Sequence, residues 1–161
     1  MRTLVVYYSW GGNTAKVARR LADVLKADVE EIRETKKRRK ILGLVRSGFE
    51  TARKKKPQIQ ALDKDPGKYD LIVIGTPMWA GTFASPVRTF LDRYGDGIKK
   101  AAYVLTMGGD KEGKAFSEMS DMLGAQPAAT LKMRARVVKS DGAFQEEGET
   151  AIEAFVRNLG A

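Results

Sequence analysis

The chain contains neither cysteine nor histidine. Without cysteine there are no disulfide bonds and no thiol nucleophiles, and without histidine there are no Ser-His-Asp triads and few possible zinc sites. Catalysis by side chains would have to use carboxylates, lysines, tyrosines or serines. Any chemistry at this protein is therefore more readily supplied by a bound cofactor.

Long apolar runs are also absent. No stretch reaches the roughly 18 apolar residues that a membrane-spanning helix needs, and the apolar run at residues 4–8 is too short for the core of a secretion signal. We therefore expect no membrane span and a cytoplasmic location. The 161 residues, of which 43% are hydrophobic, suit a single domain with a complete core.

Acidic residues are outnumbered, which leaves a net charge of +9. The excess is concentrated in residues 33–56, called the basic segment below. Such a cluster can attract nucleic acid, an anionic membrane surface or an acidic protein, and it can also be a solvated surface without a partner. Phe49 is its only aromatic residue. Nucleic acid is therefore a poor candidate, because single strands are usually held by stacking on several aromatic side chains.

Strand and helix patterns alternate five times along the chain. Continuous apolar runs predict strands buried on both faces, and apolar residues at helical spacing predict the helices between them. The predicted strands lie at 4–8, 27–32, 69–76, 101–107 and 130–138, and the predicted helices at 14–26, 41–54, 85–94, 112–123 and 145–159. This alternation predicts an α/β fold, with a five-stranded parallel sheet covered by helices on both faces.

A polar, glycine-containing turn connects the first strand to the first helix. Its residues are Ser9, Trp10, Gly11, Gly12, Asn13 and Thr14. Glycines allow close approach of a ligand to the backbone, and the amide groups and partial positive charge of a helix start favour an anion. The turn predicts a phosphate site, to which the hydroxyls of Ser9 and Thr14 could contribute. An ordinary helix start capped by Asn13 or Thr14 is the alternative.

Two further loops follow the third and fourth predicted strands. The second loop consists of Thr76, Pro77, Met78, Trp79, Ala80, Gly81 and Thr82, and the third of Thr106, Met107, Gly108, Gly109 and Asp110. Ligands of parallel sheets bind at the carboxyl ends of the strands, so we expect the three loops to form one site. Trp79 is the candidate for stacking on a flat ring, and Trp10 is the alternative.

Taken together, the three loops resemble those of the flavodoxin family. Residues 9–14 resemble the phosphate loop of that family, although Gly11 stands where the family usually has a hydroxyl. Residues 75–82, with the helix from Pro86 onward, look like its second flavin loop, and residues 106–110 stand where the third should be. The resemblance implies a flavodoxin-like fold of strand order 2-1-3-4-5. It also implies non-covalently bound FMN, whose phosphate the first loop holds and whose ring the other two loops hold.

The family resemblance further implies an electron carrier that passes one or two electrons between redox partner proteins. It implies no catalytic side chain and no metal. From the charge distribution, we expect acidic redox partners to dock near the basic segment, with screening by salt slowing the encounter. The protein could act as a monomer or as a dimer.

Two enzymatic alternatives remain open at this point. Residues 108–114 match Gly-x-x-x-x-Gly-Lys, but Ala115 stands where a nucleotide-hydrolysing loop needs Ser or Thr to hold magnesium. The same fold also hosts NAD(P)H-dependent FMN or quinone reductases. The Gly-x-Gly-x-x-Gly fingerprint of a Rossmann fold is absent, but small reductases can bind nicotinamide over the flavin itself.

Overall fold

A central sheet organises the structure, a computed structural model that describes residues 1–36, 40–138 and 141–160. Its strands are Thr3–Tyr7 (β1), Asp28–Glu31 (β2), Leu71–Trp79 (β3), Thr82–Phe83 (β4), Ala101–Met107 (β5) and Thr130–Arg134 (β6). Its helices are Asn13–Leu25 (α1), Lys40–Ala52 (α2), Ser85–Tyr94 (α3), Ala115–Leu123 (α4) and Glu146–Leu159 (α5).

Five of the strands are parallel and lie in the order β2-β1-β3-β5-β6. This is the predicted order 2-1-3-4-5 of the five long strands, so the α/β fold class is confirmed. The register places Tyr7 opposite Gly75 and Thr106 opposite Pro77. The carboxyl ends of β1, β3 and β5 therefore meet at one edge of the sheet.

The sheet has a sixth strand, which the sequence analysis did not predict. The predicted second loop is in fact a hairpin, because β3 continues to Trp79 and β4 pairs with it antiparallel. Its two central residues, Ala80 and Gly81, have φ angles of 47° and 78°. Positive φ at both positions gives a tight turn whose twist matches that of the flanking strands, so the chain folds back at once.

Two predicted boundaries are also wrong. The fourth helix begins at Ala115 instead of Glu112, because Gly113 has a φ of 56° and interrupts helical geometry. The last strand ends at Arg134, after which residues 135–137 form a turn of 3₁₀-helix.

Both faces of the sheet are buried. Along β1, Leu4 and Val6 pack on the side of α3 and α4, whereas Val5 and Tyr7 pack on the side of α1 and α5. Strands that are covered on both sides need apolar residues at every position, which explains their continuous apolar runs. The two cores hold the strand ends in place, and the loops of the carboxyl edge are built on them.

Ala80 is a test of the hairpin geometry. A side chain at positive φ is strained, so we expect Ala80→Gly to raise the free energy of unfolding by about 1 kcal/mol. In the control, Ala151→Gly within α5, the same chemical change should lower it by about 1 kcal/mol. Urea unfolding of the two variants measures both values. A loss of stability in Ala80→Gly would contradict the positive φ.

Candidate functional site

The turn between β1 and α1 is shaped to receive an anion. Gly12 is the residue before the helix, with a φ of 93°, and no side chain caps the first turn of α1. The amide of Gly12 donates instead to Ser9 Oγ at 3.1 Å. The predicted alternative of a cap by Asn13 or Thr14 is therefore wrong. The first amides of a helix have no acceptor within it, so the uncapped turn can bind an anion.

The first and third loops are joined by a buried hydrogen bond. The hydroxyl oxygens of Thr14 and Thr106 lie 2.7 Å apart, and either can be the donor. Whichever hydroxyl donates, the other keeps its own proton, since each hydroxyl carries one. The pair can therefore offer one O–H to a ligand while it holds the start of α1 against the end of β5.

Three aromatic side chains stand together beside this link. Trp79 makes edge contacts with Tyr8, at a centroid distance of 5.4 Å, and with Trp10, at 6.3 Å. Contacts from two sides fix the orientation of the Trp79 ring. Trp10 is more accessible, with 37% of its surface exposed. The hairpin and the phosphate turn thus present one aromatic wall.

These elements enclose a cleft of about 200 Å³ at the carboxyl edge of the sheet. It is lined by Trp10, Gly11, Asn13, Thr14, Pro77, Met78, Trp79, Thr106, Met107, Gly108 and Ala135. Residues from all three predicted loops therefore meet in one place. Ala135 was missed in the sequence analysis. It lies inside the strand predicted over 130–138, so the sequence pattern carried no signal for it. Only the end of β6 at Arg134 places it at this edge.

The other predicted site residues support the cleft without lining it. The hydroxyl of Thr76 donates to the Pro77 carbonyl at 2.9 Å and accepts from the Ala84 amide at 3.1 Å, which braces the base of the hairpin. Asp110 forms an ion pair with Arg134 at 2.7 Å. The remaining predicted site residues that do not line the cleft are Ser9 and Gly12 in the first turn, Ala80 and Gly81 at the hairpin tip, Thr82 in β4, and Gly109 in a neighbouring cleft.

A largely buried ion pair holds the hairpin against α3 and α4. Arg88 donates to Glu118 Oε2 at 2.6 Å, and the Thr82 hydroxyl donates to the same oxygen at 3.2 Å. Burial alone would raise the pKa of Glu118. The hydrogen bond and charge of Arg88, the hydrogen bond from Thr82 and the charge of Lys54 outweigh burial, so this pKa lies below its usual value.

The segment between the third loop and α4 also touches the hairpin, through its backbone. The amide of Lys114 donates to the Gly81 carbonyl at 2.8 Å. A Cβ atom at Gly113 would lie only 2.0 Å from that carbonyl oxygen, so this approach requires glycine. The Gly-x-x-x-x-Gly-Lys match is thus explained by a loop that closes on the hairpin turn.

The flavodoxin family model matches residues 2–141 of the sequence. The chain belongs to the flavodoxin family. The resemblance inferred from the sequence is thereby confirmed, and with it FMN as the cofactor of the family. A comparison with curated protein sequences found no match.

Solved structures of flavoproteins and flavodoxins are similar over most of this chain. A flavoprotein from Lactobacillus acidophilus in complex with FMN is 27% identical, with 81% of this chain and 92% of that chain covered and a TM-score of 0.71. A WrbA-like flavodoxin from Agrobacterium tumefaciens is 16% identical (99% and 95% covered, TM-score 0.61). A flavodoxin from Streptococcus pneumoniae is 18% identical (99% and 98% covered, TM-score 0.62). The last two share the fold. Among the described residues of this chain, no helix has the length and apolar character to cross a membrane.

Gly113 tests whether the segment between the third loop and α4 positions the hairpin. Gly113→Ala would push the Gly81 carbonyl and the hairpin out of place. We expect it to weaken FMN binding by about tenfold or more, since a loss of about 1.4 kcal/mol in binding free energy lowers affinity tenfold. The control is Gly124→Ala, at a φ of 64° with open space around the position. It carries the same backbone strain without a clash. Fluorescence titration with FMN measures both, and equal affinities would contradict the positioning role.

Glu118 gives a prediction for stability and its pH dependence. Glu118→Gln leaves the buried Arg88 charge without its counter-ion, so we expect the free energy of unfolding at pH 7 to fall by about 2 kcal/mol. The pKa of Glu118 is lower in the folded protein than in the unfolded chain. The carboxylate therefore stabilises the fold fully at any pH above its pKa in the unfolded chain, and this stabilisation is lost as pH falls through its pKa in the folded protein. Urea unfolding should show that wild type and variant differ less in their free energy of unfolding at pH 3.5 than at pH 7. A difference independent of pH would contradict the ion pair.

Proposed function

We propose that this protein binds FMN non-covalently in the cleft between the three loops and carries electrons between redox partner proteins. The observation that carries the proposal is the convergence of an uncapped helix start, an aromatic wall and a glycine-rich loop in one cleft. When bound, FMN supplies the ability to accept and release one or two electrons. We further propose that the partners are acidic proteins that dock near the basic segment.

The residues of the cleft fit the parts of this cofactor. The backbone amides at the start of α1 and the free hydroxyl proton of the Thr14–Thr106 pair suit a phosphate. A Cβ at Gly11 or Gly108 would meet nothing within 4 Å, so both positions have room for close approach of a ligand. Trp79 suits a flat ring, because its neighbours Tyr8 and Trp10 already hold its orientation.

A reductase is the second candidate, and a neighbouring cleft favours it. This cleft has a volume of about 440 Å³ and is lined by Tyr8, Ser9, Trp10, Glu31, Ile32, Arg33, Glu34 and Gln60. It shares Trp10 with the proposed FMN site. A small substrate bound there would lie beside the cofactor, as an NAD(P)H-dependent flavin or quinone reductase requires.

FMN binding and the stacking residue are tested together. Purified protein supplied with FMN should acquire the absorption of a bound flavin and quench its fluorescence. We expect Trp79→Ala to weaken binding by about tenfold, since stacking on an aromatic ring contributes about 1–3 kcal/mol. Trp10→Ala is the matched comparison and should have a smaller effect. Absence of binding at saturating FMN would refute the proposed function, and the reverse ranking would make Trp10 the stacking residue.

Stopped-flow mixing with NADPH separates carrier from reductase. The FMN-loaded carrier should keep its oxidised spectrum during anaerobic mixing with NADPH and lose it with a chemical reductant. Rapid bleaching by NADPH would establish the reductase instead. The same mixing with NADH tests for a reductase that uses NADH instead of NADPH.

A further inference from the structure

The described side chains of helix α2 have an unusual arrangement of polar and apolar groups. A surface helix normally buries its apolar face and exposes its polar face. Among the side chains of α2 that the structure describes, those of the polar residues Ser47, Glu50 and Thr51 are buried, whereas Val45 is 72% exposed and Phe49 is 47% exposed. Val45 and Phe49 are four residues apart and therefore lie on one face of the helix. Exposed apolar side chains on a face that could have been polar indicate a contact surface.

Two cations stand over the exposed aromatic ring. The guanidinium carbon of Arg53 lies 4.3 Å from the centroid of Phe49, and Lys55 Nζ lies 5.1 Å from it. Nearby Arg46, Lys54 and Lys56 are paired with carboxylates. Within residues 1–36, 40–138 and 141–160, no carboxylate forms an ion pair with Arg53 or Lys55. Their positive charge is therefore available to a partner. Lys37, Arg38 and Arg39 of the basic segment lie outside the described residues.

Hydrogen bonds and charges connect the end of α2 to the proposed FMN site. The Ser85 hydroxyl at the start of α3 donates to Glu50 Oε2 at 3.4 Å. Lys54 lies 3.6 Å from Glu118, the residue that holds Thr82 of the hairpin. A protein that docks on α2 would thus stand beside the hairpin that bears Trp79.

We propose that Val45, Phe49, Arg53 and Lys55, named the α2 patch, form the docking surface for an acidic partner protein. Carboxylates of the partner would pair with Arg53 and Lys55, and an apolar spot would cover Val45 and Phe49. This arrangement of an apolar centre with charged neighbours is typical of protein interfaces. That the partner is a redox protein rests on the proposed function, whereas its acidic chemistry rests on the patch itself.

The geometry favours a protein over a nucleic acid or a membrane. Single strands are held by stacking on several aromatic side chains, of which the α2 patch has only Phe49. Duplexes are held through their phosphates, which would engage Arg53 and Lys55 but leave the exposed apolar side chains unused. Insertion into a bilayer would carry these same two cations toward the hydrocarbon together with the ring, which is costly. Carboxylates on a protein surface can reach both cations without displacing them.

The test uses a reduced, acidic [2Fe–2S] ferredoxin as a defined probe. On mixing with the FMN-loaded protein, one electron leaves the iron–sulfur cluster and enters the flavin, so the ferredoxin is oxidised as the flavin is reduced. We expect the second-order rate to fall by about tenfold or more between 25 and 250 mM salt, since steered encounters are screened. We expect Arg53→Glu/Lys55→Glu to lower the rate at 25 mM salt by about tenfold as well, and to remove most of the dependence of the rate on salt.

The control is Lys99→Glu/Lys100→Glu, which changes the net charge equally. Both lysines are exposed and precede β5, at the opposite edge of the sheet from the cleft. We expect this variant to stay close to the wild-type rate. Phe49→Ser should weaken the complex without removing the salt dependence, because it removes apolar contact and no charge. Equal loss of rate in the two charge variants would overturn the patch and leave only an effect of net charge.

Binding of the FMN-free protein to the ferredoxin, measured by calorimetry, separates the two proposals. If FMN does not bind but the apoprotein still binds ferredoxin through the α2 patch, the proposed function fails and the docking surface stands. If wild-type protein binds phosphatidylserine vesicles or duplex DNA more tightly than ferredoxin, with Arg53→Glu/Lys55→Glu abolishing that binding, the docking proposal is overturned in favour of that ligand. Circular dichroism of every variant confirms that it is folded.

Discussion

The missing side chain at Gly75 is the constraint on which the site depends. A Cβ there would lie 3.1 Å from the Cβ of Tyr7 and 3.4 Å from the Thr14 methyl group. Because that space is free, the start of α1 can lie over the end of β3. The Thr14 hydroxyl can then reach Thr106 on β5, the next strand across. One glycine thus lets the phosphate turn and the third loop meet above the strand between them.

The hairpin that forms the aromatic wall is held from several directions. Its turn places Ala80 at a positive φ, a conformation that persists only when the surroundings favour it. Those surroundings are the Lys114 amide on the Gly81 carbonyl and the Glu118 carboxylate on the Thr82 hydroxyl. A hairpin held this way is ordered without a ligand, which would lower the ordering cost of binding the proposed cofactor ring.

Charge is divided unevenly between the two sides of the site. Beside the third loop, Lys132 and Arg134 are paired with Glu112 and Asp110, so their fields are largely cancelled. Beside α2, Arg53 and Lys55 have no such partners in the described part of the chain. The net charge of +9 therefore acts through a particular surface as well as through the whole molecule. That surface adjoins Lys54, whose ammonium lies 3.6 Å from Glu118, the residue that holds Thr82 of the hairpin.

The sequence patterns by themselves determined the fold class and the three loops of the site, whereas the strand order followed from the resemblance to the flavodoxin family. Continuous apolar runs mark strands buried on both faces, and parallel strands place the loops after them at one edge. These are local patterns or consequences of chirality, and no long-range contact is needed to recognise them.

Only the tertiary structure decided how the loop residues divide between lining the cleft and supporting it. Thr76 and Thr82 carry the same hydroxyl as Thr14, yet their hydrogen bonds brace the hairpin. The turn brings the Ala84 amide back to Thr76, and packing against α4 brings Glu118 to Thr82. The closing of Gly113 on Gly81 and the outward orientation of Val45 and Phe49 have the same origin. Each depends on which elements pack together. The spacing of residues along the chain does not reveal which residues become neighbours in the folded protein.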